Sequence, residues 1–346
     1  MQKQFPDFII GGAPKCGTTS LHFILNQHPD IALPDDEVHY FDADDPTTHP
    51  DFFSTGGNGQ LNHYDTEDPS FRNQYATKFE MFAGAKLIGE DSTTYLMSPA
   101  APPRIQSLLP KARVIFMLRD PVARAYSQYW HSVTRGRATQ TFEKALVADP
   151  SIILGSTYLA GLERFRSCLG ADRVKVILFE DFIADQQRVV DGVCDFLGAE
   201  RMVVRQEASW FNRSMYPTWL AGQLSLNRIG RYVVALRYRN HLASRPGVRS
   251  WLEGRLHYHW FRRVNPLLLK ASKPPEMRPD TRAYLARHLA RRNEGLSAFL
   301  DRDLAPSGRG LKDEFAIRTS VGPSSDSNAE RSRAYQNLLN LTYGWG

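Results

Sequence analysis

The segment Gly11-Gly-Ala-Pro-Lys-Cys-Gly-Thr-Thr-Ser-Leu21 constrains the fold of this chain more tightly than any other. Phe8-Ile-Ile-Gly-Gly12 is a short apolar run of the kind that forms a buried strand, and Leu21, Ile24 and Leu25 then recur at helical spacing. Between them lies a loop rich in glycine, with Thr18, Thr19 and Ser20 in the first turn of the predicted helix. The first amides of a helix have no acceptor inside it, and its N-terminus carries partial positive charge. With Lys15 beside them, these amides make a site for a phosphate or sulfate group. An ordinary glycine-rich turn is the alternative reading, and the flanking strand and helix weigh against it.

The remaining apolar runs fit the same architecture. Ile31–Leu33 reads as a second strand stopped by Pro34-Asp-Asp36, and residues 42–69 read as a long loop rich in Asp, Pro, Gly, Thr and Asn. Lys86–Gly89, Arg113–Leu118 and Val174–Leu178 supply three more strands. Pro121 opens a helix, with Asp120 as its N-cap. Short apolar strands alternating with helices predict an α/β fold, a parallel sheet flanked by helices. Beyond residue 200 the pattern turns helical and basic, and a helix is expected from Asp280 to Leu300. Residues 1–306 read as a single domain, and 307–346, rich in Ser, Gly and Asn, as a flexible tail.

Gly12 and Gly17 have the Gly-x4-Gly spacing of a nucleotide-binding P-loop, but Thr18 stands where that motif has Lys, so the only lysine lies inside the loop. A second motif begins about 100 residues on, in Val114-Ile-Phe-Met-Leu-Arg-Asp-Pro-Val-Ala-Arg-Ala-Tyr-Ser-Gln-Tyr129. Arg119 at a strand end offers a charged fork, and Ser127, two turns up the helix, a second donor. Together the two motifs resemble those of sulfotransferases that use 3′-phosphoadenosine 5′-phosphosulfate (PAPS). Pro14-Lys-Cys-Gly-Thr-Thr-Ser-Leu21 matches that family's 5′-phosphosulfate loop throughout. The resemblance implies that Lys15, Cys16, Gly17, Thr18, Thr19 and Ser20 hold the 5′-phosphosulfate and that Arg119 and Ser127 hold the 3′-phosphate. A Walker B strand with Asp120 as a magnesium ligand is the competing reading of the second motif.

Transfer of a sulfuryl group to an alcohol is an in-line displacement, which needs a base for the hydroxyl and positive charge at the departing phosphate oxygen. In Glu37-Val-His-Tyr-Phe-Asp42, Glu37 and His39 alternate around Val38, so an extended stretch points both one way. The segment is similar to the Glu-x-His-Phe-Phe element of heparan-type glycan sulfotransferases. That match implies Glu37 as base, with Lys15 at the leaving group and His39 as an active-site partner also facing the acceptor. His39 acting alone as base is the nearest rival, and a merely acidic loop around Asp35, Asp36 and Glu37 is the plain alternative.

Glu90-Asp-Ser-Thr-Thr-Tyr95 stands where the family has Glu-Lys-Ser/Thr-Pro-x-Tyr, which implies Asp91, Ser92 and Thr93 on the acceptor side. Asp36 and Asp91 occupy positions where the family carries lysines that face anionic sugar, so a densely sulfated acceptor is not expected. Ser272-Lys-Pro-Pro-Glu-Met-Arg-Pro-Asp280 resembles the loop that closes over the nucleotide, with Lys273 as its cation.

The net charge of +6 is unevenly spread: residues 1–100 hold 5 basic and 15 acidic side chains, and residues 201–306 hold 20 and 7. Within 228–263, arginines interleave with aromatic residues, a pattern suited to an anionic partner or to helices with snorkelling arginines. No nucleic-acid module is recognisable, so nucleic acid is not expected, and peripheral membrane contact through 228–263 is. The three cysteines are too scattered for a zinc site or disulfide framework. Neither a leader nor a membrane-spanning run is visible, which predicts a cytoplasmic protein. The sequence thus predicts a relative of the heparan-type enzymes and their soluble microbial counterparts. It moves the sulfuryl group of PAPS to a hydroxyl or amine of a carbohydrate, glycolipid or other hydroxylated acceptor, releases PAP and uses no metal. A P-loop nucleotide kinase or NTPase, and a non-catalytic polyanion-binding protein, are the alternatives.

Overall fold

A computed structural model of the chain describes residues 5–55, 59–204, 215–236 and 248–304. Its centre is a five-stranded parallel sheet. In chain order, β1 is Phe8–Gly12, β2 Ile31–Ala32, β3 Ser54–Thr55, β4 Leu61–Asn62, β5 Leu87–Asp91, β6 Arg113–Leu118 and β7 Val174–Leu178. The sheet order is β2-β5-β1-β6-β7, and β3 and β4 form a separate antiparallel pair. All five residues of β1 are buried, as expected of a central strand covered on both faces.

β1 has β5 and β2 on one side and β6 and β7 on the other. The chain therefore leaves β1 to one side and later crosses to the other, and such a reversal opens a crevice at the carboxyl ends of the strands. The Gly12–Gly17 loop is at that end of β1. Its neighbour there is the end of β6, where Gly12 pairs with Phe116.

Both glycines of the Gly-x4-Gly spacing are required by the backbone. Gly12 (φ +137°) lies where a Cβ would meet the Thr93 carbonyl oxygen at 2.5 Å, and Gly17 (φ +91°) where it would meet the Phe179 ring at 2.8 Å. The helix Pro121–Thr134 then fixes the loop from the side. Arg124 is fully buried in this helix, and its Nε donates to the Pro14 carbonyl at 3.0 Å while Nη1 donates to the carbonyls of Ser151 and Ile152. Asp120 caps the helix, accepting from the Ala123 amide at 2.7 Å.

Several boundaries differ from expectation. The expected Lys86–Gly89 strand runs instead from Leu87 to Asp91, because the buried Glu90 carboxylate is satisfied by Tyr75, Tyr95 and Ser92. The expected loop 42–69 contains a 3-10 turn, Pro50–Phe52, besides the β3–β4 pair. The expected helix from Asp280 to Leu300 is two helices, Pro279–Arg292 and Leu296–Leu300, separated by Gly295 at φ +90°. The chain divides into two compact units, Met1–Asn293 and Glu294–Gly346. The tail expected over 307–346 lies outside the described residues. Among the described residues no helix is long and apolar enough to cross a membrane.

Candidate functional site

The loop after β1 presents its amides at the start of the helix Thr18–Leu25. Cys16 N–H turns back to the Ala13 carbonyl and Ser20 N–H to that of Gly17, while the amides of Gly17, Thr18 and Thr19 donate to no group among the described residues. These three N–H groups and the helix dipole form a concave donor set for a tetrahedral anion. The Thr18 side chain is buried, Ser20 is half-buried and Thr19 is exposed. The Cys16 thiol points inward to the Tyr158 hydroxyl at 3.9 Å, and burial pushes its pKa up to about 11. The thiol and the N–H of Cys16 are thus both engaged within the protein.

Lys15 takes a left-handed backbone conformation (φ +69°), and its Nζ lies 3.2 Å from His131 Nδ1. Burial and then the nearby charge of Arg135 bring its pKa down to about 8; Glu37 opposes the shift, and Arg119 and Arg124 add to it. His131 is held well below its ordinary pKa by burial and by Lys15, so it stays neutral. Three arginines thus bear on Lys15, with Glu37 opposing them.

Arg119 leaves the end of β6 with its guanidinium 4.8 Å from the centroid of Phe179, the ring on which Gly17 also rests. Ser127 lies half-buried one helical turn before His131, on the face that reaches Lys15. Arg119 and the loop thus meet at Phe179, and Ser127 lies on the helix that reaches Lys15 through His131. Asp120, the magnesium ligand of the competing reading, has its Oδ1 turned to the helix cap. Lys273 is exposed, on a segment tethered beside Ser127 by the Tyr126 hydroxyl, which donates to the Pro275 carbonyl at 2.8 Å.

On the other side of the loop, Glu37 Oε2 lies 2.8 Å from His39 Nε2, and Thr93 Oγ1 donates to Glu37 Oε1 at 3.0 Å. Burial would raise the Glu37 pKa, but the hydrogen bonds from His39 and Thr93 and the charge of His39 hold it down to about 2. The side chain is nonetheless 41% exposed, so the carboxylate can be approached. Burial works against the charged form of His39, yet Glu37, with Asp42 and Asp91, raises its pKa. The simple extended stretch expected here is replaced by a kink: His39 has φ +54°, and its N–H donates to Ser92 Oγ at 2.9 Å.

Two of the expected acceptor-side residues are internal. Ser92 is fully buried, with its hydroxyl donating to Glu90, and Asp91 is 5% exposed and paired with His22 at 3.2 Å. Both are thus turned to the interior rather than to the surface. Thr93 positions Glu37.

Sequence reasoning did not pick out Asp42, His49, Thr94 or Arg124. His39 Nδ1 and His49 Nε2 flank the Thr94 hydroxyl at 3.0 and 3.2 Å, and His49 Nε2 lies 2.9 Å from the buried Asp42. Donor atoms of His39, Asp42 and His49 all fall within 4.8 Å of one another, a spacing that could hold a metal ion, although none was expected. Each of the three is already engaged by a protein partner, so the cluster also works as a hydrogen-bonded support behind Glu37.

The sequence profile of the sulfotransferase family matches residues 6–202. A membrane-associated sulfotransferase of Dictyostelium discoideum is 30% identical over 168 residues, covering 46% of this chain and 31% of that protein. The heparan sulfate glucosamine 3-O-sulfotransferase 3B1 of Homo sapiens is 25% identical over 221 residues, covering 61% of this chain and 50% of that protein. The matches thus span about a third to a half of these relatives' own length. A crystal structure of a sulfotransferase from Alicyclobacillus acidocaldarius shares the fold with a TM-score of 0.58 at 28% identity, covering 88% of this chain and all of that one.

Proposed function

This chain belongs to the sulfotransferase family, and from that premise we propose that it transfers the sulfuryl group of PAPS to a sugar hydroxyl, with Glu37 as base. PAPS supplies the activated sulfuryl group. The open amides of Gly17, Thr18 and Thr19, with Lys15 and the hydroxyls of Thr18, Thr19 and Ser20, hold the 5′-phosphosulfate. Arg119 and Ser127 hold the 3′-phosphate, and Lys273 approaches the nucleotide from its exposed segment. Glu37 takes the proton as the acceptor oxygen bonds to sulfur, while the bond from sulfur to the phosphate oxygen breaks. Lys15 neutralises the charge left on that oxygen, and PAP departs.

The observation that carries this reading is the convergence of two groups from separate segments. Glu37 is approachable, ionised and close enough to Lys15 to act on its charge. Thr93 and His39 orient Glu37, and the raised pKa of His39 lets it donate toward the carboxylate as the reaction proceeds.

The human relative's name specifies a glucosamine hydroxyl of heparan sulfate, which supports a carbohydrate acceptor here. The exposed acidic residue at 36 favours a weakly charged glycan or glycolipid over a densely sulfated one. The test is transfer of labelled sulfate from PAPS to fractionated glycans and glycolipids. Label is expected in a neutral or weakly acidic sugar fraction; label in no fraction, with release of free sulfate at the uncatalysed rate, would reject the proposal.

A further inference from the structure

The helix Leu220–Leu236 buries polar side chains and exposes apolar ones. A helix on the surface of a soluble protein buries its apolar stripe and turns polar residues to water. Here the inward face carries Gln223 and Asn227, which are 0% and 1% exposed, beside Leu224 at 5% and Val233 at 9%. Gln223 Nε2 donates to Asn227 and Asn265, and Asn227 Nδ2 donates to the carbonyls of Val133 and Ala138. These bonds fix the helix to the end of Pro121–Thr134, the helix that carries Ser127 and His131. The outward face carries Ile229 at 75% and Tyr232 at 60% exposure, with Arg228 beside them.

The neighbouring helix Val248–His259 repeats the exposed stripe. Leu252, Arg255, Leu256 and His259 are all exposed at i, i+3, i+4 and i+7, the leucines at 56% and 50%. That is the spacing of Ser225, Arg228, Ile229 and Tyr232 on the first helix. Two further exposed apolar residues, Trp219 at 63% and Leu267 at 75%, are brought close by the Thr218 amide, which donates to the Leu268 carbonyl at 2.8 Å. Within 215–236 and 248–271 there are seven basic residues and one acidic one, Glu253.

We propose that this face docks on a membrane surface bearing anionic lipid. Apolar side chains at the centre of each stripe enter the acyl boundary, an arginine beside each meets lipid phosphate, and Trp219 and Tyr232 suit the headgroup level. A polyanionic glycan or nucleic acid would use the arginines and leave the apolar residues in water. A second copy of the chain would set arginine stripes of the same sign against each other. The inference does not depend on the identity of the donor or the acceptor.

The test is co-sedimentation of the full chain with vesicles of phosphatidylcholine alone and of phosphatidylcholine with phosphatidylserine. Binding is expected to the second only, and to weaken with salt. The double substitution of Ile229→Ser and Leu256→Ser should lower partitioning by at least about tenfold. Arg228→Gln with Arg255→Gln should also lower it about tenfold or more and flatten the salt dependence. All four positions are exposed, so the melting temperature should hold, which separates lost binding from lost folding. Equal binding to both vesicles, binding to neither, or unchanged binding by both pairs of variants would overturn the proposal. So would a dimer of the full chain that the apolar pair converts to monomer.

Discussion

Lys15 should make the proposed nucleotide side of the site dependent on pH. Its pKa is about 8 because burial and neighbouring cations disfavour its charge. It is therefore protonated below that value and neutral above it, and the proposed anion prefers the protonated form. The kcat/KM for PAPS should fall as pH rises through about 8. An anion in the loop should raise the lysine's pKa, so PAP binding at that pH should be accompanied by proton uptake, measured by calorimetry in buffers of different ionisation enthalpy. Proton release, or no dependence on buffer, would contradict this.

Glu37 behaves differently. With a pKa of about 2 it remains ionised down to strongly acid pH, so its own protonation should not shape the pH profile. Glu37→Gln should lower kcat by about 10²–10⁴ while leaving PAP binding within a few-fold of the parent, read by single-turnover kinetics and titration. The pairing of Glu37 with His39 was legible because both lie on one short segment. Thr93 is 56 residues from Glu37, and Arg124 is 110 from the Pro14 carbonyl it holds. Those partnerships come from the order of strands in the sheet, which no local pattern encodes. Arg124 in particular reads as a surface residue in any helical pattern.

At the level of elements, the strand–loop–helix unit is the part that tolerates least change. Gly17→Ala must adopt a positive φ and place a methyl group 2.8 Å from Phe179. It should destabilise the protein by about 1–3 kcal/mol and abolish the PAP-induced rise in Tm, both read in one thermal-shift series. If the variant kept its Tm and its response to PAP, the account of the loop would be wrong. The strands themselves were legible because a buried parallel strand is written as an unbroken apolar run. β5 was less so, because it ends in Glu90 and Asp91, whose burial depends on tyrosines elsewhere in the chain and on His22. The buried polar pair of the helix Leu220–Leu236 was hidden for a related reason: composition marked the stretch as basic and aromatic, but only its packing against Val133 and Ala138 tells which face is inward.

Across the whole molecule, the uneven charge now divides by task. The acidic first hundred residues contain the proposed phosphosulfate loop and Glu37, and the arginines that act on Lys15, Arg119, Arg124 and Arg135, come from later in the chain. The basic stretch past residue 215 lies on the helices that present the proposed membrane face. The alternative of a nucleotide kinase differs from the sulfotransferase reading at one chemical point, the 3′-phosphate that Arg119 and Ser127 are proposed to bind. The measurement that addresses it most directly is a thermal-shift comparison of PAP with ATP and magnesium, on the parent protein and on Arg119→Gln. The account predicts that PAP raises the Tm of the parent, that ATP with magnesium does so weakly or not at all, and that the substitution costs PAP about tenfold to a hundredfold in affinity. Stabilisation by ATP with magnesium and none by PAP would contradict it.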